Sequence, residues 1–265
     1  MSTQIGNVAG GGDRVTRAIS ASARATGVDF NYLLGQARVE SGLNPNAKAR
    51  TSSATGLFQF IDQSWLGVVE KHGSKYGLDW ASAAINRDSR GRFGVADADM
   101  RQSILELRKN PEIASLMAGE FAADNQNYLE RNLGRNMAPV DLYLAHFLGP
   151  EGARKFLSAH DANPDAPAAP QFAKAAGANR SIFYDRSGAP RSFAEIRARF
   201  ADKLGDDSPL PRGRGLPDGG NAVPQVQPAD YIRLASQRSG RDSTAPTTLN
   251  ANARLAYLML ASLGA

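Results

Sequence analysis

Cysteine is absent from this 265-residue chain, so neither a disulfide framework nor a thiolate metal site can be built from it. That absence leaves the cellular compartment open. No segment approaches the roughly 18 consecutive apolar residues that a membrane-crossing helix needs, and stable membrane insertion is not expected. The start, MSTQIGNVAGGGDRV, is polar and glycine-rich. It lacks the basic beginning and apolar centre of a secretory signal, so the chain reads as soluble with no visible export address. Long basic runs are missing too: no five consecutive Lys or Arg occur, and no basic stretch alternates with aromatics. Nucleic acid is therefore not expected as a partner. Strand-like alternation is almost wholly lacking, which excludes a β architecture.

What is present is an ordinary globular composition, with 42% hydrophobic and 22% charged residues and a formal net charge of +5. The length allows a sizeable core in one domain or two. The positive balance suits a polyanionic partner such as an acidic cell-wall polymer, although scattered Lys and Arg also serve simple solubility.

Helical patterns dominate the first two hundred residues, and the expected fold class is all-α. Residues 1–12 read as a flexible lead-in. Val15, Ile19 and Ala23 then recur at helical spacing with Asp13 as N-cap, ending at Gly27. Asp29 caps a second helix that carries Gln36, Ala37 and Glu40 and stops at Gly42. Asn44-Pro45-Asn46 is a turn, residues 48–55 form a small-residue loop, and Asp62 is expected to cap a helix bearing Trp65, Val68 and Val69. Residues 86–99 read as a polar loop. Helices are expected at 100–109, 112–132 and 139–148, a break at Gly149-Pro150-Glu151-Gly152, a short apolar helix from Ala153 to Leu157, a Pro/Ala-rich hinge over 163–170, and a last helix at Phe193 to Leu204. From Gly205 the composition turns to Pro and Gly. The expected organisation is thus a helical domain over 13–204, a linker over 205–229 and a tail over 230–265 with an apolar helix at Asn252 to Leu263.

The densest functional information lies between Arg38 and Ile61. A glutamate on a helix is usually a solvated surface residue, but Glu40 has a different setting. It sits at a helix C-terminus, where the macrodipole disfavours a negative charge. Its neighbours one turn back, Gln36 and Ala37, are not charge partners. The loop that follows is rich in Gly, Ser and Thr and permits close approach of a ligand. A carboxyl group whose charged form is disfavoured is suited to act as a general acid, as protonation of a glycosidic oxygen requires.

The run Glu40-Ser41-Gly42-Leu43-Asn44-Pro45-Asn46-Ala47, followed by Ala54-Thr55-Gly56-Leu57-Phe58-Gln59-Phe60, resembles the soluble lytic transglycosylase (SLT) domain. A third element, Ala145-His146-Phe147-Leu148-Gly149-Pro150, is similar to that family's Ala-Tyr-Asn-x-Gly-Pro. The resemblance implies a lysozyme-like helical fold of the lysozyme superfamily, peptidoglycan glycan strands as substrate, and no metal or other cofactor. It also implies a location in the periplasm or cell envelope. In such enzymes one Glu cleaves the β-1,4 bond between N-acetylmuramic acid and N-acetylglucosamine and leaves a 1,6-anhydro product. Carried over, Glu40 is the acid/base and Ser41 its supporting neighbour; Phe58 and Gln59 line the cleft, with core packing as the competing role for Phe58. The family's loop serine falls near Arg50 or Thr51, with Ser52 and Ser53 close by. Thr51 and Ser52 are accordingly taken as substrate-binding. His146 stands where a tyrosine usually contacts the acid, Phe147 replaces an asparagine, and the Glu40-to-Gln59 spacing is slightly long.

Glu120 is the candidate second carboxylate; facing the cleft it would orient a water and make the reaction hydrolytic, although a helix-surface role is the simpler one. A hydrolysing muramidase on the same fold is therefore one alternative. A non-catalytic assembly protein docking through its C-terminal tail is another.

Overall fold

The computed structural model describes residues 9–50 and 52–205, with side chains from residue 14 onward. Thr51, the 206–229 part of the linker and the 230–265 tail with its expected helix lie outside the described residues. Within them, ten α-helices and one two-stranded hairpin account for the architecture, as the helical patterns require.

Helix α1 (Ala9–Thr26) lies along α6 (Pro111–Leu133). The ion pair Arg14–Glu112, the bond from Ser22 Oγ to Ser115 O (2.6 Å), and the contact of Thr26 with Gly119 ascend together along both helices. A Cβ on Gly119 would sit 2.5 Å from Ser22 Oγ, so the close approach needs glycine there. The expected start near Asp13 is corrected: α1 begins at Ala9 and runs through Gly10–Gly12 into the stripe of Val15, Ala18 and Ile19. Burial of that stripe outweighs the helical cost of the glycines, about 1 kcal/mol each.

Helix α2 (Phe30–Ser41) follows its local signals. Asp29 Oδ1 accepts from Tyr32 N at 2.8 Å, and Gly42 adopts φ 62° as C-cap, donating to Ala37 O and Arg38 O. Helix α3 (Asp62–His72) begins differently from expectation. Ile61 occupies the N-cap without a side-chain bond, and Asp62 is the first helical residue. Its carboxylate instead meets Arg101 (2.5 Å) and Arg108 (3.0 Å), which attract it more strongly than a single backbone N–H would. Trp65 is fully buried, with Nε1 donating to Ile104 O at 2.7 Å.

After a 3-10 turn (Gly73–Tyr76) and α4 (Asp79–Ala84), the expected polar loop contains a hairpin, β1 (Asn86–Arg87) with β2 (Phe93–Gly94). Two-residue strands show no alternation, which is why the sequence conceals them. Asp97 then caps α5 (Ala98–Glu106), and Asn110 caps α6.

Helix α7 (Pro139–Ala162) kinks where the break was expected: Gly149 has φ 72° and ψ 163°, and Pro150 follows. The 163–170 segment, expected as a hinge, is exposed over most of its length and anchored near its end. Ala168 and Ala169 are buried, and Ala168 N donates to Arg191 O at 3.0 Å; small side chains allow this fit. Two short helices, α8 (Ala173–Ala178) and α9 (Arg180–Phe183), precede α10 (Phe193–Leu204), whose Ser192 cap and Gly205 stop match the sequence pattern.

A buried charge fastens α10 to α7. Asp141, with no exposed surface, accepts from Arg135 Nη1 (3.0 Å), Ala138 N (3.1 Å) and, on its other oxygen, Arg197 Nε (2.9 Å). Removing one member of a buried pair strands the rest. Asp141→Ala is expected to cost about 2–4 kcal/mol, less than the full buried-pair value because Arg135 reaches solvent. Thermal unfolding should show a melting temperature lower by roughly 5–15 °C; a change under about 2 °C would refute the fastening role.

Candidate active site

Glu40 lies in the last turn of α2 and is 2 % exposed. Two side chains of α7 approach its Oε1: His146 Nε2 at 3.2 Å, and Tyr143 OH, a donor at 3.5 Å. Oε2 is shielded from solvent and has no hydrogen-bond partner among the described residues. A buried carboxylate oxygen without a partner is costly and usually has a reason.

The surroundings are rich in hydrogen-bond donors. Gln36, one turn before Glu40, places Nε2 3.2 Å from His146 Nδ1. With the amide nitrogen as donor, Nδ1 accepts, which is the tautomer that leaves the ring N–H on Nε2, 3.2 Å from Glu40 Oε1. Burial, followed by the charge of Glu40, pushes the phenols of Tyr32 and Tyr143 well above their ordinary range. Both stay protonated and able to donate. Tyr143 also stacks on His146, with ring centroids 5.8 Å apart.

Lys203, from the last turn of α10, completes the group. Its Nζ is 3.5 Å from Tyr143 OH and 5.7 Å from the centre of that ring. Burial lowers its ammonium below the usual lysine value, and the charge of Glu40 acts in the opposite direction. The approach of α10 depends on Gly35, where a Cβ would meet Leu204 O at 2.9 Å.

Sequence reading missed Tyr32, Gln36, Tyr143 and Lys203 as members of this group. Tyr143 was accessible in principle, since it precedes His146 by three residues and shares its helix face. Gln36 likewise precedes Glu40 by one turn. No local pattern marks Lys203.

The other nominated residues are distributed as follows. Ser41 Oγ donates to Leu57 O (2.8 Å), with Ala37 O at 3.0 Å, and so ties the helix end to the Gly56–Phe60 segment. Gln59, at φ 49°, donates its amide to Ala47 O (3.1 Å) and Gly56 O (2.8 Å), bracing the loop from inside. Phe58 is buried in the core. Ser52 Oγ accepts from Ala54 N at 3.3 Å, within the same loop.

Glu120 belongs to a different cluster. It bonds Tyr76 OH (2.5 Å) and Lys75 Nζ (2.6 Å), and His72 Nδ1 lies 3.2 Å away. Burial opposes its ionisation, but the bonds from Lys75 and Tyr76 and the proximity of His72 outweigh that and hold it below the usual carboxylate range. These partners come from α3 and the 3-10 turn, and none of them is among the contacts of Glu40 described above.

Among the described residues, no group of three or more His, Asp or Glu could hold a metal ion. No described helix is long and apolar enough to cross a membrane.

Residues 17–79 match the family model of the transglycosylase SLT domain. The matched stretch contains Glu40, Ser41 and the Gly56–Phe60 segment; Tyr143, His146 and Lys203 lie beyond it. Glu40 and its loop thus sit inside the segment that matches the transglycosylase SLT domain model, and the helices that follow enclose it.

Proposed function

We propose that this chain is a lytic transglycosylase that cleaves peptidoglycan glycan strands between N-acetylmuramic acid and N-acetylglucosamine. The SLT segment supports peptidoglycan cleavage in general. The observation that carries the finer reading is the solitude of Glu40: its Oε1 contacts are Tyr143 and His146, neither of them a carboxylate. Two-carboxylate hydrolysis places its acid and its partner roughly 5–9.5 Å apart, and Glu120 is engaged by Lys75 and Tyr76.

On this reading Glu40 first delivers its proton from Oε2 to the glycosidic oxygen as the C1–O bond breaks. The resulting carboxylate then takes the proton of the muramic acid C6 hydroxyl while O6 bonds to C1, closing the 1,6-anhydro ring. The acid is thereby regenerated and no water is consumed. Tyr143 and His146 hold Oε1 through both steps, and Lys203 adds positive potential behind Tyr143. Because Oε2 is shielded, substrate binding includes a rearrangement that uncovers it. The substrate implies a site of action in the cell envelope or periplasm.

Mass analysis of digested peptidoglycan tests the outcome. Anhydro-muropeptides are expected; reducing-end products would overturn this reading and favour a hydrolysing muramidase.

A further inference from the structure

A cavity of ≈ 480 Å³ lies between the β1–β2 hairpin and the first turn of α3, away from the shell of Glu40. Its walls include Gln63, Asn86, Arg87, Asp88, Arg92 and Phe93. We propose that this cavity binds a carboxylate of the peptide stem attached to the glycan, a second recognition site that rests on the cleavage reading above.

The first support is an excess of available positive charge. Arg87 uses Nε on Gly91 O (3.1 Å) and lies with its guanidinium carbon 5.4 Å from the centre of the Phe93 ring. Arg92 uses Nε on Asp88 Oδ2 (3.1 Å). Neither guanidinium spends its terminal nitrogens on a hydrogen bond among the described residues. The acidic residue present, Asp88, is already engaged: Oδ1 accepts from Arg90 N (2.9 Å) and Arg92 N (2.8 Å). The backbone bond from Arg92 leads the interactions that hold this carboxylate below its usual range. Asp88 thus shapes the turn rather than neutralising the cavity.

The second support is preorganisation. Gln63 grips the backbone of Phe93 in both directions, donating to its carbonyl (2.8 Å) and accepting from its N–H (2.9 Å). The Phe93 ring packs so closely on Gly67 that a Cβ there would lie 2.7 Å from it. The hairpin is therefore pinned to α3 and its guanidiniums are carried on a fixed frame. A guanidinium with unused terminal donors matches a carboxylate in geometry and charge. Gln63, which lines the cavity, follows Phe60 of the Gly-Leu-Phe-Gln-Phe run by three residues along the chain. A glycan strand held near Glu40 carries its stem peptides alongside.

The test compares intact peptidoglycan with the same glycan stripped of its stem peptides by an amidase. The full-length chain is expected to favour intact over stripped material by roughly tenfold in kcat/KM, the scale of one or two charge-assisted hydrogen bonds. In the Arg87→Gln/Arg92→Gln double variant that ratio should fall to near one, with the melting temperature unchanged. An unaltered ratio, or no preference in the parent protein, would overturn the site. Calorimetry with a soluble muramyl tetrapeptide on Glu40→Gln provides a readout independent of cleavage: binding is expected, and its persistence after the two Arg substitutions would also refute the assignment. A protein that cleaves normally but ignores peptides refutes this site alone, whereas one that cleaves nothing refutes the enzymatic reading.

Discussion

Glu40→Gln is expected to reduce peptidoglycan cleavage by at least roughly a thousandfold, the upper part of the range for a positioned acid or base, because one carboxyl group serves both proton transfers. The amide retains the shape of the side chain but can neither give up a proton to the leaving oxygen nor accept one from the C6 hydroxyl. The structural consequence should run the other way. Glu40 is almost fully buried and one of its oxygens has no hydrogen-bond partner, so the isosteric amide strands no further polar atom. Its neutral replacement should leave the melting temperature unchanged or slightly raised, a trade between stability and activity common at reactive sites. Cleavage above about a tenth of the parent rate would remove Glu40 from the mechanism. Loss of activity together with a fall of many degrees would make it a structural residue instead.

The contrast between α2 and its surroundings explains what was readable in advance. Asp29 and Gly42 bound α2 by contacts within a few residues, so the sequence alone marks both ends. The same holds for α10, where Ser192 N donates to the Glu195 carboxylate and Glu195 N donates to Ser192 Oγ. Local chemistry of that kind needs no knowledge of the rest of the chain. The hairpin does need it, because Phe93 is held by Gln63 thirty positions upstream. The shell around Glu40 needs it even more. His146 was reachable through the third family-like element, but its orientation comes from Gln36 on another helix. Lys203 arrives only because Gly35 admits the end of α10, a contact between residues far apart in sequence. Gln59 shows a further limit: a motif residue expected to line the cleft has its own amide donating to two backbone carbonyls, which the motif alone does not reveal.

Gly56→Ala is expected to be the most damaging substitution outside the catalytic group, and the reason lies in the loop's geometry. Gly56 has φ 85°, a region that a side chain disfavours by roughly 1–2 kcal/mol. A Cβ there would stand 2.0 Å from Arg108 O, a backbone atom that cannot rotate away. Overpacking of this kind costs typically about 1–3 kcal/mol more. Arg108 cannot yield cheaply, since its Nη1 is bound to Ser53 O (2.9 Å), Phe60 O (2.9 Å) and Asp62 Oδ1 (3.0 Å), and its Nε to Leu105 O (2.9 Å). Displacing it loosens both ends of the Gly56–Phe60 segment together with the start of α3. The expected result is a melting temperature lower by about 5–15 °C and a loss of cleavage even at temperatures where the variant remains folded. That second component follows from Ser41, whose hydroxyl joins the end of α2 to Leu57 O and so makes the position of Glu40 depend on this loop. Circular dichroism melts and product assays at 15 °C separate the two effects. A variant with parent stability and parent activity would show that the loop accommodates a methyl group, and the proposed coupling of Arg108, the loop and Glu40 would fail.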